Sequence, residues 1–193
     1  MATLEIFATV ATVAFVLLAI KRSIWQYPAG ILGTVLFFFV FLDARLYSST
    51  ALQVLFLAVQ AYGWWYWLRG DKGGRPRITS ISPVLVGGLC LGALAFAWVL
   101  SAVLSTTTDA QMAFSDAAIF SLSAVAQFLL GRKIIEHWQI WMAVNSLAVF
   151  VYASQELWVT AALYAGLFAS TFWGYWEWRQ ELRGYDRTVA MSD

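Results

Sequence analysis

Seven apolar stretches joined by short polar links leave this chain few ways to fold. They run about Leu4–Ile20, Tyr27–Leu42, Ala51–Leu68, Pro83–Leu104, Ala117–Leu130, Gln139–Ala153 and Leu157–Trp178. A helix that crosses a bilayer needs roughly 20 predominantly apolar residues. The second, fifth and sixth stretches are short by that measure, so they borrow semi-polar ends or sit in thinned bilayer. Charge decides against a soluble reading: 12% of the 193 residues are charged, where a soluble domain uses about 25%. Mean hydropathy is +0.70. The expected fold is all-α, a single transmembrane domain with seven helices and the lipid bilayer as its solvent. The first run opens Met1-Ala-Thr-Leu-Glu5 with no basic segment before it, and is expected to stay as a helix rather than be cleaved as a signal peptide.

Lysine and arginine orient the spans. Lys21 and Arg22 follow the first, and Arg69, Lys72, Arg75 and Arg77 the third. Arg132 and Lys133 follow the fifth, and Arg179, Arg183 and Arg187 the seventh. These are alternate links, so seven spans gather them on one face, and Arg45 alone falls on the other. Six or eight spans would scatter them. The expectation is an N-terminus outside and a cytoplasmic C-terminus, with residues 179–193 as a cytoplasmic tail. The lysine-free link Ser105–Asp116 goes to the outer face. Arg69-Gly-Asp-Lys-Gly-Gly-Arg-Pro-Arg77 reads as the one real linker, marked by its glycines and proline.

Two stretches resemble each other at a constant offset of 111 residues. Ala51, Leu52, Ala58, Gly63, Trp65 and Trp67 meet Ala162, Leu163, Ala169, Gly174, Trp176 and Trp178. Upstream, the match is expected to need a gap of about three residues. Interfacial belts gather tryptophan at helix ends anyway, but a belt does not place a glycine two and four residues before the paired tryptophans. Duplication also accounts for the odd number of spans. Three spans reverse the chain's side, so a fourth must restore it before a second unit can run parallel to the first. The expected order is a three-helix repeat (4–68), a linker helix (83–104) and a second repeat (117–178). Parallel repeats place substrate between the halves near mid-membrane. The linker's Gly87, Gly88 and Gly92 are expected to serve packing.

Polar groups buried in lipid mark sites by default. All eleven carboxylates lie at or near span ends, which favours facilitated diffusion over coupling to ions. The amides say more. Gln53 and Gln60 share a face of the third span, with Trp64 and Trp67 close to the same stripe. Trp138, Trp141, Met142 and Asn145 form an i, i+3, i+4, i+7 set on the sixth, and Gln127 lies deep in the fifth. Interhelical hydrogen bonding is the alternative use of such amides, and it is favoured for Gln53 and Gln127. Substrate contact is favoured for Asn145 with Trp138, and for Gln60 beside the tryptophan pair. Aromatic faces attract organic cations, and amides bind hydroxyls or heterocycle edges without a countercharge. A cationic aromatic ring carrying a sugar fits. A phosphate does not, with no lysine or arginine at depth.

Other classes find little support. A net charge of +1 gives no basic face for nucleic acid. Cys90 and His137, one of each, make neither a disulfide nor a metal site. No Walker A or GxGxxG pattern occurs, so no cofactor is expected. Glu136, His137 and Asp116 are expected to flank lipid on opposite faces, too far apart for an enzyme's acid–base cluster.

The run Leu52-Gln53 leading to Tyr62-Gly63-Trp64-Trp65-Tyr66-Trp67 resembles the PnuC family of bacterial vitamin transporters. So do Asp116 through Gln127, Arg132-Lys133, Glu136, Trp138, Trp141, Asn145, Gly174 and Trp176. The resemblance implies a three-plus-one-plus-three fold similar to SWEET sugar transporters, in a bacterial inner membrane. It implies uptake of nicotinamide riboside by facilitated diffusion, with trapping by intracellular phosphorylation. It also implies a homo-oligomer. Trp138 and Asn145 match the family's sixth-helix site residues, and Gln60, then Gln53, its third-helix glutamine. Met142 departs from the pattern where relatives can carry an aromatic, which leaves thiamine or another vitamin or nucleoside as the alternative cargo.

Overall fold

The computed structural model describes residues 2–43, 47–70, 76–107, 113–154 and 158–190. These hold seven α-helices: α1 (Ala2–Ile20), α2 (Gln26–Asp43), α3 (Tyr47–Arg69), α4 (Pro83–Thr107), α5 (Ala113–Gly131), α6 (His137–Ser154) and α7 (Trp158–Ala190). Each expected span falls on a helix. Several boundaries move, among them the start of α3, at Tyr47 rather than Ala51. The link expected over Ser105–Asp116 is shortened from both sides, by α4 to Thr107 and by α5 from Ala113. The expected tail after Trp178 instead continues α7 to Ala190, making a helix of 33 residues. At 1.5 Å per residue that is about 50 Å, longer than a hydrocarbon core of about 30 Å. Met1, Arg45, Lys72, Arg75 and Leu157 lie outside the described residues.

Local chemistry sets the ends. Ser82 caps α4, its hydroxyl accepting from Leu85 N at 3.3 Å, with Pro83 in the first turn where a missing N–H costs nothing. The α1–α2 and α5–α6 joints are built alike. Arg22 and Lys133 both take φ 56°, the left-handed region. Ser23 N donates to Leu18 O at 2.9 Å and Arg22 N to Ala19 O at 3.0 Å. The paired bonds of Ile134 to Leu129 and Lys133 to Leu130 are both 3.0 Å. This is the left-handed cap in which two amides turn back to satisfy the last carbonyls of a helix. The 111-residue offset therefore relates these joints with no gap. The three-residue gap expected upstream is wrong, because low side-chain identity there hid a backbone that keeps its register.

Neighbouring helices pack in chain order within each half, α1 on α2 and α2 on α3, then α5 on α6 and α6 on α7. Between halves α3 meets α5 and α1 meets α7, while α4 lies against α5. The outside is apolar. Val84, Leu91, Trp98 and Phe150 are among the large hydrophobic side chains left exposed, far more than water tolerates in one surface. Stretches Pro83–Val103 and Phe114–Gly131 are each long and apolar enough to cross a membrane. Gly87, Gly88 and Gly92 have nothing within 4 Å of an added Cβ. The packing role expected for them is not met within this chain, because α4 turns that face outward.

The linker is stitched to the second half. Thr79 N donates to Lys133 O and Ile135 N to Thr79 O, both at 3.0 Å. Glu136 accepts from the Ser80 hydroxyl and from Ile81 N at 3.2 Å. Glu136 and His137 are buried, so the expectation that they flank lipid is overturned. The linker covers the first, and the aromatic core encloses the second. Glu136→Ala should release residues 78–81. Two lost hydrogen bonds to a charged acceptor give a destabilisation of about 2–4 kcal/mol, read as a lower melting temperature and faster amide exchange at Thr79 and Ile81.

Candidate functional site

The centre of the bundle, at its basic end, is an aromatic plug. Trp67 of α3 and Trp178 of α7 face each other with ring centroids 6.4 Å apart. Each is braced edge-on by the second residue of the neighbouring helix. Tyr27 meets Trp67 at 5.4 Å and 82°, and Trp138 meets Trp178 at 6.0 Å and 83°. Glycine makes room for both braces. A Cβ on Gly63 would lie 2.8 Å from the Tyr27 hydroxyl, and one on Gly174 would lie 2.5 Å from the Trp138 ring. The motif of a glycine four residues before a tryptophan is thus a socket and its lid.

Both tryptophans also tie the halves together. Trp67 Nε1 donates to Gly131 O at 3.1 Å, and Trp178 Nε1 to Ala19 O at 3.0 Å. His137, fully buried, holds Ile134 O through Nδ1 at 2.7 Å and packs on Trp178 at 4.7 Å. The plug includes Ile20, Tyr66, Ile78, Leu130 and Ile135.

Further from the basic end lies a polar layer. Thr34 follows Tyr27 by seven residues on α2, and Asn145 follows Trp138 by seven on α6, about 10 Å along each axis. Asn145, Thr34, Gln60 and Thr171 are all buried. Gln60 Nε2 donates to Thr34 Oγ1 at 2.7 Å. Its Oε1 lies against Gly30, in the space a side chain there would fill. Thr34 and Asn145 share the 111-residue offset, as do Gln60 and Thr171. The amide and the hydroxyl exchange places between the halves. Hydroxyl-bearing substrates suit such a layer, since amides and hydroxyls both donate and accept.

The structure separates residues that the sequence grouped. Trp138 joins the central plug, whereas Trp141 packs in the cluster of Ala93, Leu122, Ala126, Leu129, Ile140 and Val144, toward α4 and α5. Met142 is half-buried. Gln53 is buried on α3, and Gln127 on α5. Sequence reasoning missed Tyr27, Thr34, Thr171 and the burial of His137. The offset of 111, carried upstream without a gap, pairs the first three with Trp138, Asn145 and Gln60.

A family model described as nicotinamide mononucleotide transporter matches residues 2–180. The chain belongs to the nicotinamide mononucleotide transporter family. It is 26% identical to the nicotinamide riboside transporter PnuC of Escherichia coli, over 83% of this chain and 78% of that one. It is also 26% identical to the riboflavin/roseoflavin transporter RibM of Streptomyces davaonensis, over 89% and 82%. The crystal structure of the vitamin B3 transporter PnuC matches with a TM-score of 0.75 at 19% identity, over 94% of this chain and 83% of that chain. That last likeness is one of fold.

Proposed function

We propose that the chain carries nicotinamide riboside across a bacterial inner membrane by facilitated diffusion, with phosphorylation inside the cell trapping the product. The observation that carries this is the pair Trp138 and Asn145, both buried on α6, in a chain of this transporter family. An aromatic face for a cationic ring and an amide for a hydroxyl or carboxamide meet the two ends of such a nucleoside. Gln60, Trp141, Met142 and, less centrally, Gln53 complete the proposed set. Lysine and arginine stand in the links, at the end of α3 or on α7 beyond Trp178, which favours a nucleoside over its phosphate.

The proposed architecture is two parallel three-helix repeats, α1–α3 and α5–α7, joined by α4. The N-terminus is outside and the C-terminus in the cytoplasm. The paired joints, paired plugs and alternate basic links support it. Uncoupled transport has support too. Glu136, the buried carboxylate among the described residues, is committed to Ser80 and Ile81. A protonophore should leave initial counterflow in proteoliposomes unchanged; its collapse would restore ion coupling.

The likeness to a riboflavin/roseoflavin transporter favours a second reading, in which the cargo is a flavin; thiamine is a third cationic or heteroaromatic candidate. Calorimetric titration of the purified protein with nicotinamide riboside, thiamine and riboflavin decides among them. Selective binding of nicotinamide riboside supports the proposal, and selective binding of either other ligand replaces it. No binding of any ligand leaves the amides as interhelical hydrogen bonds.

A further inference from the structure

The halves meet along two seams at equivalent places, α3 with α5 and α1 with α7, and the seams differ in kind. At α3/α5 the two backbones touch. A Cβ on Gly131 would lie 3.3 Å from Gly63 Cα, and one on Gly63 would lie 3.0 Å from Gly131 Cα. Around that point Arg132 donates to the Tyr62 hydroxyl at 2.9 Å and stands over the Tyr66 ring at 4.5 Å. Lys133 Nζ stands over Trp67 at 4.1 Å, and Tyr62 stacks on Phe128 at 6.0 Å and 9°.

The α1/α7 seam runs along a shorter line of contact. Ile20 stands where Gly131 stands in the other seam. Gly174, the counterpart of Gly63, is filled from its own half by Trp138. Among the described residues the backbone contact therefore has no counterpart there. What crosses instead is the Trp178 indole bond to Ala19 O, with Arg22 reaching Glu177 at 3.6 Å and Glu181. These carboxylates have no match at the other seam, where Tyr66 on α3 and Gly70 just past its end occupy the equivalent positions. Partly exposed ion pairs contribute little and are screened by salt. Close-packed backbone and stacked rings do not yield in that way.

We infer that the basic end opens along α1/α7, hinged on Gly63 and Gly131 at α3/α5, with Arg22 on Glu177 and Glu181 as the latch. Opening there draws Ala19 away from Trp178 and uncovers the plug from one side, so the transport step is asymmetric although its two halves are built alike. This rests on the transport reading for its role in flux, though not for the motion itself.

The test uses the full chain in lipid nanodiscs and proteoliposomes, in a Cys90→Ala background. Spin labels at Lys21→Cys and Gln180→Cys report the α1/α7 side, and labels at Leu68→Cys, at the end of α3, and Gln139→Cys, on α6 just past the α5–α6 joint, report the other; all four positions are exposed. The first pair should show a short and a long distance, with Arg22→Gln shifting population to the long one. The second pair should stay single and narrow. Equal spread in both pairs, or no response to Arg22→Gln, overturns the inference. Joining the first pair with a short bismaleimide should cut counterflow at least about tenfold while substrate affinity stays within about threefold. Joining the second should leave flux within about twofold. A block from the second linkage, or none from the first, also overturns it. Should the uncross-linked protein carry nothing while the first pair still opens, the transport reading fails and the hinge stands.

Discussion

Asn145→Leu is expected to weaken substrate binding by at least about 30-fold, because a substrate donor or acceptor buried without its partner costs about 2–3 kcal/mol. Asn145 is buried on α6, seven residues after Trp138 as Thr34 is seven after Tyr27. Leucine has similar bulk and a higher helix propensity than asparagine, so the bundle should stay folded and monodisperse in detergent. Unchanged calorimetric affinity in a folded variant would remove Asn145 from the site. Asn145→Thr, which places at this position the residue found at 34, should keep part of the affinity through its hydroxyl.

Gly63→Leu is expected to have the largest effect on stability. Its Cβ alone would lie 2.9 Å from the Tyr27 ring and 3.0 Å from Gly131 Cα. A ring can turn aside, but a helix backbone in contact cannot, so α3 and α5 must separate. Overpacking of this kind costs about 1–3 kcal/mol where side chains can adjust, and more is expected against backbone. The thermal midpoint in detergent should fall by about 5 °C or more, with loss of the Tyr27–Trp67 contact visible in near-ultraviolet dichroism. Gly166→Ala is the control. Its Cβ meets open space, and alanine is the better helix former by about 1 kcal/mol, so its midpoint should hold or rise. Equal loss in both variants would show that the contact at Gly63 is not special.

Much of this fold was legible in the residues. Each apolar stretch found its helix, and the joints at Lys21-Arg22 and Arg132-Lys133 fell where the basic pairs marked them. The tryptophans at 67 and 178 were matched by offset before their rings were seen to meet. The site was only half legible. Trp138 and Asn145 are both buried on α6, but Trp141, three residues after Trp138, turns to a different cluster. The α3 stripe predicts substrate contact for Gln60, and in the fold its amide lies on Thr34 and Gly30.

The limit has a physical cause. In a soluble helix the apolar face points inward, so periodicity tells which side is buried. In lipid both sides of a span are apolar, and the pattern marks where a helix is without saying what it faces. The sequence by itself therefore determined the number and approximate place of the helices, the basic end and the 111-residue offset between α3 and α7. Those follow from hydropathy, charge and repetition along the chain. Only the tertiary structure decided that α3 meets α5 while α1 meets α7, that Glu136 holds the linker, and that Tyr27 and Trp138 brace one plug. Those contacts rest on shape, on which glycine leaves room for which ring, and shape exists only once the helices are side by side.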